Sequence, residues 1–169
     1  NYEKKLKKII KNKDYIINCT GIIKPYINEK NFKSIKEAIL INSIFPHNLN
    51  NLKEKNTKIL QIATDCVYDG KEGFYKESFS HNATDVYGKS KSLGEVESKN
   101  FFNIRCSIIG KEIKGFKSLV NWFLSNKKNS NLNGFSNHLW NGITTNFFAK
   151  FLLIIIIKNV KIPNLIHLT

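Results

Sequence analysis

The chain has 169 residues, 41% of them hydrophobic, enough for one domain with a packed core or for part of one, and short for an enzyme with separate cofactor and substrate regions. Its formal charge of +14 is almost all lysine, with Arg105 the single arginine, so the planar forks that read bases and clasp phosphates are nearly missing and a solvated basic surface is expected in place of a nucleic-acid site. Cys19, Cys66 and Cys106 form no CxxC pair and lie near no histidine at ligand spacing, so neither a disulfide framework nor a metal site is expected, in keeping with a reducing cytoplasm.

In chain order, Leu6, Ile9 and Ile10 recur at helical spacing among lysines and predict an amphipathic helix over Tyr2 to Asn12. Tyr15 to Cys19 is a short apolar run closed by Thr20-Gly21, the pattern of a buried parallel strand ending in a tight turn. Ser34 to Leu52 reads as a helix that Pro46 must bend or interrupt. Lys58 to Ala63 is a second strand, followed by a long polar loop over Thr64 to Ser80 and a helix over Val86 to Lys99. Asn103 to Ile109 is a third strand closed by Gly110, and a helix is expected at about Phe116 to Leu124. An Asn, Ser and Gly-rich loop then runs to Thr145.

The apolar stretch that ends at Phe151 to Ile157 is far shorter than the roughly 20 residues of a membrane span and predicts a buried helix instead. A strand over Asn164 to Leu168 closes the chain. Alternating strands and helices predict an α/β fold with a parallel, doubly wound sheet. Such sheets bind ligands at the carboxyl ends of their strands, which directs attention to Thr20-Gly21, Thr64-Asp65 and Ser107.

Tyr87 and Lys91 stand four residues apart on a predicted helix, so both side chains share one face. An ammonium beside a phenol favours the phenolate and makes the hydroxyl a usable proton donor near neutrality. A bare Tyr-x-x-x-Lys in so lysine-rich a chain is weak by itself. The surrounding segment is more specific: Ile62-Ala63-Thr64-Asp65-Cys66-Val67-Tyr68-Asp69-Gly70, then Tyr75-Lys76-Glu77, then Val86-Tyr87-Gly88-Lys89-Ser90-Lys91 and Gly94-Glu95. In this order these elements resemble the extended short-chain dehydrogenase/reductases, and the rhamnose-type nucleotide-sugar reductases in particular.

The resemblance implies a Rossmann-like fold, NADPH or NADH as cofactor, and reduction of the 4-keto group of a nucleotide-linked deoxy sugar for surface-polysaccharide precursors. Thr64, Tyr87 and Lys91 take the catalytic positions. The cofactor would lie against Cys19, Thr20, Gly21, Ile23, Tyr87, Lys91 and Ser107, and the substrate against Asp65, Cys66, Trp140 and Asn141. For Thr64 the bland alternative is a capping hydroxyl, for Trp140 a half-buried packing residue and for Asn141 a turn residue. His138 reads as a surface histidine. An epimerase or dehydratase of the same superfamily, or a non-catalytic NADP-binding regulatory relative, are the rival functions, and a homodimer of the full-length protein is a further expectation.

The family's glycine-rich pyrophosphate turn does not occur in the chain, which contains no methionine and starts 14 residues before its first predicted strand. A fragment of a longer protein is therefore expected, with residues 1–110 belonging to the cofactor domain and 111–169 mostly to a substrate region whose late strand returns to the sheet.

Overall fold

A computed structural model describes residues 2–113, 115 and 118–169. Helix α1 (Tyr2–Ile10) precedes strand β1 (Tyr15–Asn18), and Asn12 turns the chain between them through a left-handed conformation, φ 57°. A helical stretch from Phe32 to Leu52 follows. It consists of α2 (Phe32–Ala38), a π turn (Ile39–Ile44) and α3 (Phe45–Leu52). The sequence reading anticipates a disturbance at Pro46, and the widened turn is how it is met: Pro46 has no N–H, and the Phe45 N–H just before it reaches back five residues to the Leu40 carbonyl.

Strand β2 (Lys58–Thr64) runs into a 3-10 turn (Asp65–Val67) and a long loop ending at helix α4 (Val86–Leu93). The predicted helix to Lys99 is too long. Gly94 caps α4 at a position where any side chain would run into the Asn42 carbonyl, and beyond it Val96 turns into the core. The predicted third strand is two strands, β3 (Phe101–Cys106) and β4 (Ile108–Ile109), which break at Ser107. There the Ser107 carbonyl accepts the Ile143 N–H at 2.9 Å, and the chain leaves the main sheet to pair with β5 (Ile143–Thr144). Helix α5 spans Leu119–Ser125, and Phe116 at the predicted start lies outside the described residues. Helix α6 (Thr145–Lys158) and strand β6 (Leu165–His167) complete the fold.

The main sheet is parallel throughout, in the order β1-β2-β3-β6. Consecutive residues of β2 face opposite sides. Leu60 joins Ile104, Phe148, Leu152 and Ile155 beneath α6, while Ile59 joins Phe101, Ile10 and Leu49 beneath α1 and α3. Helices thus cover both faces, which explains why β2 is apolar nearly throughout rather than alternating. The last helix is less buried than its composition suggests: Phe148, Leu152 and Ile155 form one stripe on the sheet, whereas Phe147, Leu153, Ile154 and Ile157 are half or more exposed. Among the described residues no helix is long and apolar enough to cross a membrane.

Candidate active site

Thr64 ends β2 in extended geometry, and its hydroxyl oxygen accepts the Cys66 N–H at 3.2 Å, which starts the 3-10 turn. The capping role is thus present. The hydroxyl itself donates to Asp65 Oδ1 at 3.3 Å, and the Tyr87 side chain, in the first turn of α4, lies beside it. Asp85 caps that helix by accepting the Gly88 N–H at 2.7 Å. Gly88 explains the closeness of the two elements: a Cβ there would collide with the Cys66 carbonyl and the Ala83 methyl. Only glycine lets the first turn of α4 lie directly on the turn that follows Thr64.

Lys91, one turn after Tyr87, is buried, and its ammonium donates to the Ile62 carbonyl at 2.7 Å. Burial pulls its pKa down, opposed by Cys106 and Glu95. Burial likewise pushes Tyr87 up to about 12, only partly opposed by the neighbouring Thr64 hydroxyl, with the ionisable neighbours Cys66, Asp65 and Cys106 adding to the rise. The proximity of Tyr87 and Lys91 holds. The Tyr87 pKa is raised where the sequence reading expects Lys91 to lower it, because burial dominates the phenol.

On the neighbouring strand, the Asn18 side chain donates to Gln61 Oε1 at 2.7 Å and accepts the Thr20 N–H at 3.0 Å, shaping the turn after β1. Cys19, Thr20 and Gly21 are exposed there, and Ile23 is 41% exposed. The sequence reading missed Asn42. From the π turn it accepts the Ile22 N–H at 2.8 Å and donates to the Ile22 carbonyl at 2.9 Å and to Ser90 Oγ at 3.0 Å. One buried amide therefore ties the turn after β1 to the helix bearing Tyr87 and Lys91. A lone polar residue within Ile39-Leu40-Ile41-Asn42, four residues before a proline, is the sequence sign that could have marked it.

On the third strand end, Ser107 Oγ accepts the Trp140 indole N–H at 2.8 Å. Gly142 permits this packing, since a Cβ there would meet the Ser107 carbonyl and the Trp140 ring. Two residues predicted separately, one for cofactor and one for substrate, are in direct contact. Trp140 is 46% exposed, and Asn141, Asp65, Cys66 and His138 are exposed. A surface hollow lined by Asn12, Lys13, Asp14 and residues 54–57 lies before β1 and β2, at the amino end of the sheet. That is the opposite end from Thr64 and Tyr87.

The strand ends suit a dinucleotide. Cys19 to Gly21 offer accessible backbone without bulky side chains, and the buried Lys91 ammonium has three N–H groups for its one carbonyl acceptor, leaving donors for hydroxyl groups of a ligand. Its Nζ stands 3.9 Å from where a Cβ on Gly21 would be, so the lysine reaches the turn after β1.

A parallel α/β sheet covered on both faces, with a Thr-Tyr-Lys group at its carboxyl end, defines a Rossmann-like domain of the extended short-chain dehydrogenase/reductase class. Residues 2–161 match the RmlD substrate binding domain, and the chain belongs to that family. A dTDP-4-dehydrorhamnose reductase of Aggregatibacter actinomycetemcomitans is 35% identical over 97 residues, covering 51% of this chain and 33% of that protein. The structure of a hypothetical dTDP-4-dehydrorhamnose reductase from Sulfolobus tokodaii superposes with a TM-score of 0.77 at 26% identity, over 98% of this chain and 58% of that one. The Clostridium acetobutylicum dTDP-4-dehydrorhamnose reductase, at 23% identity and TM-score 0.73, shares the fold over 97% of this chain and 59% of its own. A Bacillus anthracis dTDP-4-dehydrorhamnose reductase solved in complex with NADP is 25% identical, with a TM-score of 0.58 over 68% of this chain and 43% of its own. The chain thus spans from about a third to three-fifths of the length of these relatives.

Proposed function

We propose that the full-length protein reduces the 4-keto group of a dTDP- or UDP-linked deoxy sugar with NADPH or NADH, supplying surface-polysaccharide precursors. The observation that carries this reading is the grouping of Thr64 beside Tyr87 with the buried Lys91 one turn away, at the strand ends of a family whose relatives include dTDP-4-dehydrorhamnose reductases. The Bacillus anthracis relative, solved with NADP, supports the choice of cofactor.

Cys19, Thr20, Gly21, Ile23 and Ser107 line the cofactor side, and Lys91 donates to its ribose. The reduced nicotinamide, when bound, supplies the hydride. Thr64 and Tyr87 donate to the keto oxygen and orient the carbonyl, and both bonds strengthen as negative charge gathers on that oxygen. Tyr87 then gives its proton to the alkoxide. A phenol held near 12 can still do so, because an alkoxide is far more basic than a phenolate. Asp65, Cys66, Trp140 and Asn141, with most of residues 111–169, form the sugar-nucleotide side. Pools of reduced cofactor and sugar nucleotide are cytoplasmic, and we assign the reaction to that compartment, carried out by a homodimer.

The test is to mix full-length protein with NADPH and a dTDP-linked 4-keto-6-deoxy sugar and follow cofactor absorbance. Oxidation of NADPH with formation of the 4-hydroxy sugar is expected. Isomerised or dehydrated sugar without net oxidation would assign an epimerase or dehydratase instead, and cofactor binding with no turnover a regulatory protein.

A further inference from the structure

Arg105 fastens the loop between Thr64 and Tyr87 from below. Arg105, on β3 and 2% exposed, donates through Nε to Glu95 Oε1 at 2.7 Å and through Nη2 to Glu95 Oε2 at 2.8 Å. The remaining donors of its fork reach the Tyr68 hydroxyl, His81 Nε2, His167 Nε2 at 3.1 Å and, at 3.5 Å, the Glu77 carbonyl. Tyr68 passes its own proton to the Lys76 carbonyl at 2.9 Å and stacks on Tyr75, ring centroids 4.4 Å apart. His81 is thus held by the same fork that holds Tyr68.

An arginine only donates, so His81 must present a lone pair at Nε2 and carry its proton on Nδ1, which faces Ser92 Oγ on α4. The groups around His81 are Arg105 on β3, Ser92 at the end of α4 and Glu95 just beyond it, the Tyr68 ring at 5.8 Å, and beyond Arg105 the residues His167 on β6 and Glu77 in the loop. Protonation would turn Nε2 into a donor facing a donor, one cation against another. The Glu95 carboxylate, 3.6 Å away, is already taken up by both bonds from Arg105. A charged His81 must therefore draw Glu95 off Arg105 or leave the cluster, and its side chain, 25% exposed, has an open route to water.

What His81 leads into is the catalytic turn. The N–H groups of the next two residues, Asn82 and Ala83, donate to the Val67 carbonyl at 3.1 and 3.0 Å, and the Ala83 methyl borders Gly88. Displacing His81 loosens the packing that sets Tyr87 against Thr64. We propose that His81 and Arg105 form a latch that keeps the segment joining Thr64 to Tyr87 in place while His81 is neutral and frees it when His81 takes a proton. His81 is then a positioning residue, touching neither substrate nor cofactor. Burial lowers the His81 pKa and Arg105 adds to this, against Glu95, so the latch favours the closed side at neutral pH. Its effect on turnover rests on the reductase reading above.

Amide hydrogen exchange of the full-length protein across mildly acidic to neutral pH, corrected for intrinsic rates, tests the latch without any substrate. In the wild type, protection of residues 66–86 should fall by up to about tenfold for each pH unit below the His81 pKa, while β2 and β3 stay protected. His81→Gln keeps an acceptor that cannot titrate and should flatten the profile. His81→Leu removes the acceptor and should leave the segment poorly protected at every pH. A wild-type profile in His81→Gln overturns the latch, as does full protection in His81→Leu. Turnover measured in parallel should lose its acid-side fall in His81→Gln. The exchange pattern without any NADPH oxidation would keep the latch and overturn the reductase reading.

Discussion

The Lys91 ammonium donates to the Ile62 carbonyl at 2.7 Å, two residues before Thr64 on the same strand. The helix and strand that bring Tyr87 to Thr64 are therefore joined by a charge as well as by packing. Its cost appears in the ionisation of both groups, since burial lowers Lys91 and pushes Tyr87 up to about 12.

That shift fixes a sign. The Tyr87 pKa is raised from 10.0 in the folded state, so folding favours the neutral phenol; this contribution is full below pH 10 and is lost as pH climbs through about 12. In ligand-free full-length protein, the phenolate absorbance difference between wild type and Tyr87→Phe should develop near pH 12. A difference titrating at 10 would show the phenol to be solvated.

Removing the hydroxyl tests its chemistry. Tyr87→Phe should lower turnover by about 10²–10⁴-fold and leave cofactor affinity nearly unchanged. Lys91→Ala should reduce both, because the same ammonium is assigned to the ribose and to the Ile62 carbonyl. Paired measurements of kcat and NADPH dissociation constant separate the two. Near-normal turnover in Tyr87→Phe would remove Tyr87 from the reaction.

The close approach at Gly88 predicts a structural failure. In Gly88→Ala the new methyl meets the Cys66 carbonyl and the Ala83 methyl, and that carbonyl is held within the 3-10 turn closed by the Tyr68 N–H on the Asp65 carbonyl. The helix must shift from the turn after Thr64. We expect a loss of about 1–3 kcal/mol by chemical denaturation together with a fall in turnover. Gly70→Ala is the opposite case: its φ of 75° strains an alanine although nothing lies within 4 Å of the added methyl, so a smaller stability loss without loss of turnover is expected.

Much of this was legible in the residues, for reasons that differ by element. β2 announced itself because both of its faces are buried, leaving an unbroken apolar run, and its end at Thr64 was marked by the change to polar residues. The grouping of Thr64, Tyr87 and Lys91 followed from helical spacing and the resemblance. Local periodicity could not show a tertiary contact at a helix end: α4 ends at Gly94, where the Asn42 carbonyl, fifty-two positions earlier, occupies the space a side chain would need. The split of the third strand at Ser107 is equally non-local, since the competing partner is Ile143. Asn42 and the Arg105 cluster escaped notice because a hydrogen-bonding hub has no period. The side-chain partners of Asn42 come from two distant segments and those of Arg105 from several, and no spacing joins them.

The contact between Trp140 and Ser107 yields the last prediction. The indole N–H bond of 2.8 Å ties the loop before β5 to the end of β3, and Gly142 leaves room for the ring. Trp140→Phe keeps an aromatic face and loses the donor, while Ser107→Ala loses the acceptor and keeps the ring. If this bond orients the ring for the sugar nucleotide, each change should raise the substrate KM by an amount corresponding to about 0.5–1.5 kcal/mol, and the double variant should be little worse than either single one. Trp140→Ala removes the stacking face as well and should raise KM further. Cofactor affinity should hardly move in Trp140→Phe, because the turn after β1 and Lys91 are untouched. A double-mutant cycle on substrate KM, with NADPH titrations beside it, makes the measurement. Additive effects would separate the two residues functionally, and an unchanged KM in Trp140→Ala would assign the ring to packing alone.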